Sequence, residues 1–309
     1  FMIMDDHEVD NDWSWTDPEK TQARIPWFDR LFRWLAGQPF EERSLSPERV
    51  AAALQAYWEH QAMHTPLPDE RLGGLFLQPA PLRLETQPEA ESGSAQESVP
   101  EISALPEVES LGSFYYHFAY GAAAFFVFDL RTQRVKGDGT RILLGDEQWA
   151  AFEEWLAAVK DAYPLKFLVS SSSIMFDMWI DITRDRWNGF PDERERLFRL
   201  LSDQEVEGVY ILTGDLHSSH AIRASLKAAS GRALPFWEFC ASPFEQSHSI
   251  LARFTYHPVH SDLLLEQVLD FRAAEYCFGV VKIEYADGET PRARFRVYGA
   301  EGELLAEAG

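Results

Sequence analysis

Three short hydrophobic runs in this chain each stop abruptly at polar, ligand-type side chains. Phe1–Met4 leads into Asp5-Asp6-His7-Glu8-Val9-Asp10-Asn11-Asp12-Trp13, Phe125–Phe128 into Asp129-Leu130-Arg131, and Val209–Thr213 into Gly214-Asp215-Leu216-His217-Ser218-Ser219-His220. Runs this short and this sharply ended read as buried strands that deliver their last residues to one edge of a sheet. Enzymes of mixed α and β structure assemble sites this way, because neighbouring strands bring sequence-distant residues together there. Carboxylate with imidazole is also a ligand set for divalent or trivalent metals. The pattern predicts a metal-dependent hydrolase.

The rest of the chain supports such a sheet. Phe114–Tyr120 and Ala123–Phe128 read as adjacent strands with Gly121 at the turn, and Asp146 caps a helix carrying Trp149, Phe152, Leu156 and Val159 on one face. Lys166–Val169 is a short strand ending in four serines; Asp192–Leu201 is a helix, Val209–Leu212 and Phe236–Cys240 are strands, and Ser261–Phe271 is a helix. The chain closes on a β-hairpin, Gly279–Tyr285 with Arg292–Tyr298. Upstream, Ser46-Pro47-Glu48 opens a helix with Val50, Leu54, Tyr57 and Trp58 at helical spacing, and aromatic-rich Ile25–Leu35 forms another, so residues 21–83 read as a helical insert. Leu84–Ser110 holds seven glutamates and no basic residue, the composition of a disordered acidic loop. The fold class expected is α/β (α+β): one domain over residues 1–309, a two-sheet β-sandwich flanked by helices.

Composition narrows the function further. The 28 Lys and Arg against 50 Asp and Glu give −22, which argues against nucleic acid as a stable partner and against anionic membranes. So acidic a protein needs local positive charge to hold a phosphate dianion, and bound metals supply it. No apolar run approaches the ~20 residues of a membrane span. Cys240 and Cys277 sit in apolar strand contexts and read as buried free thiols.

Six ordered blocks resemble the PhoD-like (alkaline phosphatase D) branch of the metallophosphoesterases. They are Asp5-Asp6-His7-Glu8 with Asn11-Asp12-Trp13; Phe128-Asp129-Leu130-Arg131 with Arg134; and Leu144-Gly145-Asp146-Glu147-Gln148 with Trp155-Leu156. The others are Arg186-Trp187-Asn188-Gly189-Phe190-Pro191 with Glu193-Arg194; Leu212–Ser219; and Glu238-Phe239-Cys240-Ala241-Ser242-Pro243. Asn188 and Phe190 stand where the family pattern has Asp and Tyr. The resemblance implies a metallophosphoesterase-like fold and hydrolysis of small phosphate esters. Calcium and iron are the ions implied, and the oxygen-rich donors also admit manganese or zinc. It further implies that the N-terminal part of the domain is lacking here, since Phe1 opens inside what resembles a core strand. A start of that kind carries no information on export or localisation.

Within that resemblance Asp6 is a metal ligand, and His7 polarises the phosphoryl group or protonates the leaving oxygen. The competing reading is an acidic helix N-terminus favoured by the helix dipole. Asp215 and His217, two residues apart on an extended strand end, would point the same way and serve as two ligands of one cluster; a turn stabilised by an Asp side chain is the alternative. Arg131 is the candidate substrate contact, and Asp129 with Arg131 and Arg134 forms either a structural ion pair or an anion clamp. His220 is either within reach of substrate or a surface histidine, and Trp187 is a core aromatic. His248, His257 and His260 carry no assigned role. Two other functions stay open: a phosphodiesterase or phospholipase D-like activity with the same metals, and a non-catalytic truncated remnant.

Overall fold

The computed structural model describes residues 53, 56–57, 114–136, 141–178, 186–244, 256–273, 275–286 and 288–309. Asp6, His7, His248, the Ile25–Leu35 helix and the acidic loop at 84–110 lie outside the described residues, as does the 21–83 insert except for Ala53, Ala56 and Tyr57. Those three are helical, and the buried Tyr57 ring meets Phe114 edge-on at 5.0 Å.

Strands β1 (Tyr116–Tyr120) and β2 (Ala123–Val127) form the expected antiparallel hairpin. A two-residue ladder, β3 (Val135–Lys136) with β4 (Arg141–Ile142), precedes helix α1 (Gly145–Val159). Next come β5 (Leu165–Ser172), β6 (Asp177–Met178), a 3₁₀ turn at Trp187–Gly189, and helix α2 (Pro191–Asp203). The chain continues through β7 (Val209–Gly214), β8 (Ser219–Lys227), β9 (Ala233–Cys240), β10 (Tyr256–His257) and β11 (Leu264–Ala273). It ends in β12 (Cys277–Glu284), β13 (Arg292–Gly299) and β14 (Leu304–Ala308).

A seven-stranded sheet runs in the order β1-β2-β5-β7-β9-β8-β11. Its centre, β2-β5-β7-β9, is parallel; the outer pairings are antiparallel. Central parallel strands are covered on both faces, which is why β2 and β7 read as near-continuous apolar runs. On one face Phe126, Leu168, Ile211, Ile222 and Phe236 pack against Trp149, Phe152 and Leu156 of α1 and Leu197, Phe198 and Leu201 of α2. On the other, Ala221 and Phe239 meet Phe295 and Val297, and Phe167 meets Ala293, so the small β12-β13-β14 sheet lies there. The described residues make a sheet-rich, mixed α+β structure with few helices.

Four local readings need correction. Ser261–Phe271 is not a helix: Leu264–Ala273 is a strand, antiparallel to β8 with two register shifts. Its apolar spacing suits either period, and the open edge of β8 decides, because unpaired backbone groups there need partners. The C-terminal hairpin gains a third strand, β14, after the turn in which Gly299 N–H donates to Glu303 O at 2.9 Å. Asp146 does not cap α1: Leu144 holds the N-cap position with no side-chain cap, and the Glu193 carboxylate reaches in from α2 to accept from Leu143 N–H (2.6 Å) and Leu144 N–H (3.0 Å). Finally, the strand end at Gly214-Asp215-Leu216-His217 is not extended beyond Gly214.

Candidate functional site

Parallel strands β2, β5, β7 and β9 all end on the same edge of the sheet, and antiparallel β8 begins there. That edge therefore gathers Asp129 and Arg131, Ser170–Ser173, Asp215 and His217, and the Cys240–Pro243 segment. The gathering is the consequence expected from the three abrupt run endings, two of which fall within the described residues.

After Gly214 the backbone turns sharply. Leu216 N–H donates to Gly214 O at 2.8 Å, closing a three-residue turn around Asp215 at φ 59°. This is the strained hand of that turn. His217 follows at φ 54°. For residues bearing a Cβ the left-handed region costs roughly 1–2 kcal/mol each, so neighbours must hold the loop. Leu216, 2% exposed, anchors it in the core between two half-exposed functional side chains. Asp215 and His217 thus flank Leu216 in a tight turn rather than on the pleat of a strand.

The end of β9 grips this loop. His217 N–H donates to Ser242 Oγ at 3.1 Å. The single S–H of Cys240 is shared between two carbonyls, with Sγ 3.7 Å from Gly214 O and 3.4 Å from Ser218 O. Burial pushes the Cys240 thiol far above its ordinary range, so the proton stays on sulfur and the group donates. Ser219 Oγ–H donates to Ser242 O at 3.2 Å and accepts from Ser242 N–H at 3.2 Å. Cys277 Sγ sits 2.8 Å from the same Ser219 oxygen, its thiol also pushed up by burial and hence protonated. Cys277 N–H donates to Pro243 O at 3.0 Å, which ties the C-terminal sheet to the site. Both cysteines are free and buried, as the sequence indicates.

Beneath the edge lies a fully buried polar node. The Glu238 carboxylate accepts from Ser173 Oγ, from Ile174 N–H (2.8 Å) and Met175 N–H (2.9 Å), and pairs with His220 Nε2 (2.9 Å). His220, 0% exposed with its ring tilted against Phe176 at 5.0 Å, is therefore not a surface histidine. It fastens β8 to β9 and to the loop after β5.

At the β2 end, Asp129 is buried and its oxygens accept from the backbone N–H of Phe114 (2.8 Å), Arg131 (2.9 Å) and Thr132 (3.0 Å) and from Thr132 Oγ1 (2.5 Å). Gln148 bonds both its N–H and its C=O. Asp129 therefore shapes the loop that carries Arg131, which is itself buried. Arg134 is buried with its guanidinium 5.6 Å from the Phe190 ring centroid, so the apolar ring at that position serves as a cation–π floor. Trp187 is a core aromatic, donating from Nε1 to Ser170 Oγ at 3.1 Å. Arg194 clamps Asp177 in a bidentate pair at 2.7 and 3.0 Å. His257 and His260 stand with rings 5.0 Å apart near β10, away from the gripped loop in sequence and pairing.

As a metal site the described residues form a partial set. One carboxylate and one imidazole two residues apart suit a borderline transition metal or a hard ion with added oxygen donors. Among the described residues no group of three or more His, Cys, Asp or Glu side chains could hold an ion. Asp215 and His217 fit such an ion as two of its ligands. Sequence reasoning missed the gripping residues Cys240 and Ser242 and the node at Glu238. The signal that pointed there was the Glu238–Pro243 block, where polar residues recur inside an apolar strand.

A strand-edge carboxylate and imidazole on a mixed sheet mark a candidate hydrolase site. The chain belongs to the PhoD-like phosphatase family, whose model matches residues 1–291. It is 29% identical over 242 residues to alkaline phosphatase D of Bacillus subtilis (strain 168), a match covering 71% of this chain and 31% of that protein. Among solved structures it is similar to that of PhoD, at 19% identity and a TM-score of 0.45, covering 99% of this chain and 54% of the other. A purple acid phosphatase from yellow lupin (Lupinus luteus) seeds is similar at 13% identity and a TM-score of 0.35, covering 63% and 32% respectively. The chain thus spans about a third of the curated relative it matches and about half of the PhoD chain.

Proposed function

We propose that this chain contributes the strand-edge half of a metal-dependent phosphate-ester hydrolase site. The observation that carries the reading is the gripped turn, which offers Asp215 and His217 together at the edge where the parallel strands end. A chain that bends two residues of one turn, Asp215 and His217, into left-handed backbone, and then fastens them, keeps strain of a kind that clusters at functional sites.

In this reading Asp215 gives a carboxylate oxygen and His217 an imidazole nitrogen to the metal, with Asp6 completing the set. Calcium and iron are the proposed ions, with manganese or zinc as substitutes. Bound metal would supply Lewis acidity, drawing charge from the phosphoryl oxygens and acidifying water enough to attack near neutral pH. His7 donates a proton to the departing alcohol oxygen. Arg131, which follows the end of β2 on the same edge of the sheet, is the proposed contact to the phosphoryl oxygens through its guanidinium fork. The proposed domain is a metallophosphoesterase-like two-sheet sandwich over residues 1–309, with 21–83 as a helical insert. Its substrate is a small phosphate ester.

Elemental mass spectrometry on the chain, loaded separately with iron, calcium and manganese, tests this. Near-stoichiometric metal in the wild type, lost in Asp215→Ala, is the expected result. Turnover of nitrophenyl phosphate against bis-nitrophenyl phosphate then separates monoester from diester preference. A wild type that takes up none of the three ions would overturn the reading and leave a non-catalytic remnant.

A further inference from the structure

The loop that presents Asp215 and His217 is restrained largely from outside itself. Internally, Leu216 N–H bonds to Gly214 O, and the two left-handed residues would relax in an unrestrained chain. Further bonds reach the loop from the end of β9 and the Ala241–Pro243 segment. Cys240 bonds the carbonyls at either end of the turn, Gly214 O and Ser218 O. Between those ends, the Ser242 side chain takes the His217 N–H. Ser242 is placed for this by its own backbone, whose N–H and C=O both bond to Ser219 Oγ, and Ser219 is held in turn by Cys277. Ser242 Oγ thus bonds directly to the backbone of a candidate ligand, and the residue is 7% exposed.

We propose that Ser242 is a positioning residue: through its bond to His217 N–H it fixes the left-handed backbone at His217 and so the direction of the imidazole relative to Asp215. This rests on the metal-site reading above. Removing the hydroxyl leaves the Ser242 backbone bonds to Ser219 in place, so the lesion is confined to the His217 amide. Groups that orient a ligand rather than bind the ion shift affinity by about 10- to 100-fold when removed.

The test uses the full chain as wild type, Ser242→Ala and Ser242→Thr, with two readouts. The first is residue-resolved amide hydrogen exchange. The His217 amide should exchange about five- to tenfold faster in Ser242→Ala, with amides of Ala221–Leu226 in β8 unchanged and Ser242→Thr restoring protection. The second is manganese titration followed by calorimetry, in which Ser242→Ala should bind about tenfold more weakly and Ser242→Thr should recover within about twofold. Faster exchange throughout β8 would indicate general loosening and refute the specific role. Unaltered His217 exchange, or wild-type affinity in Ser242→Ala, overturns the positioning role while the metal site stands. A wild type that binds no manganese, iron or calcium refutes the site reading itself, and the positioning role with it.

Discussion

Glu238→Gln should be one of the most destabilising isosteric changes in the described part of this chain. Both carboxylate oxygens are fully buried, and four donors converge on them: Ser173 Oγ, His220 Nε2, Ile174 N–H and Met175 N–H. A carboxamide keeps one oxygen and replaces the other with an NH₂ that donates. With the NH₂ towards Ile174 and Met175, two backbone donors face a third; turned the other way, it meets Ser173 Oγ and His220 Nε2, which accept only by redirecting their own protons within the core. A buried polar group left unpaired costs about 1–3 kcal/mol, and the substitution should cost about that much, a sizeable part of the ~5–15 kcal/mol that holds a typical domain folded. Guanidinium unfolding with linear extrapolation measures it, and an unchanged m-value would assign the change to stability rather than to the unfolded state. Pairing it with His220→Ala in a double-mutant cycle should show strong coupling, since the two share one contact at 2.9 Å. A Glu238→Gln variant within about 0.5 kcal/mol of wild type would show that the node is not what joins β8, β9 and the loop after β5.

Further outcomes follow from the same geometry. Gly208 sits at φ 67°, and a Cβ there would lie 1.9 Å from Pro164 O, so Gly208→Ala should cost more than about 2 kcal/mol; an unchanged unfolding midpoint would mean that the contact with Pro164 yields freely. Cys240 and Cys277 should resist a thiol reagent in the native protein and both react once guanidinium is added, because burial keeps them protonated; rapid native labelling would contradict that burial. Stability should fall at alkaline pH. Burial pushes Tyr115 and Tyr116 up to about 12 from an ordinary 10.0, and raises both thiols above 9.0, so the unfolded chain gives up these protons first. The stabilisation is complete below about pH 9 and drains as pH rises towards 12; equal unfolding midpoints at pH 8 and 10.5 would refute it.

Much of the sheet was legible in the order of residues alone. The apolar runs at Ala123–Phe128 and Val209–Leu212 and the four-residue spacing of Phe152 and Leu156 are short-range patterns, and β2, β7 and α1 form where those patterns fall. Ser261–Phe271 was not legible, because its leucines satisfy a helical and a strand period equally and only the open edge of β8 selects between them. The role of Glu193 was hidden for a related reason: an acid in the first turn of one helix looks like a dipole partner, yet its carboxylate accepts from the start of another helix and from Trp149 Nε1 at 2.9 Å.

The sequence by itself determined which residues of the described half could carry chemistry. A strand that ends just before Asp215-Leu216-His217 brings a carboxylate and an imidazole to a sheet edge wherever that strand lies. What only tertiary structure decided is how those two are presented and which of their neighbours are tools. His220, three residues on, carries the same ring as His217 but is enclosed between Glu238 and Phe176 in the core. Ser242, an ordinary serine just past an apolar strand, becomes the acceptor that holds His217. Left-handed backbone in a residue bearing a Cβ is unfavourable locally, so no local pattern announces it. It persists because strands joined only by the fold, β7 and β9, supply the bonds that hold it.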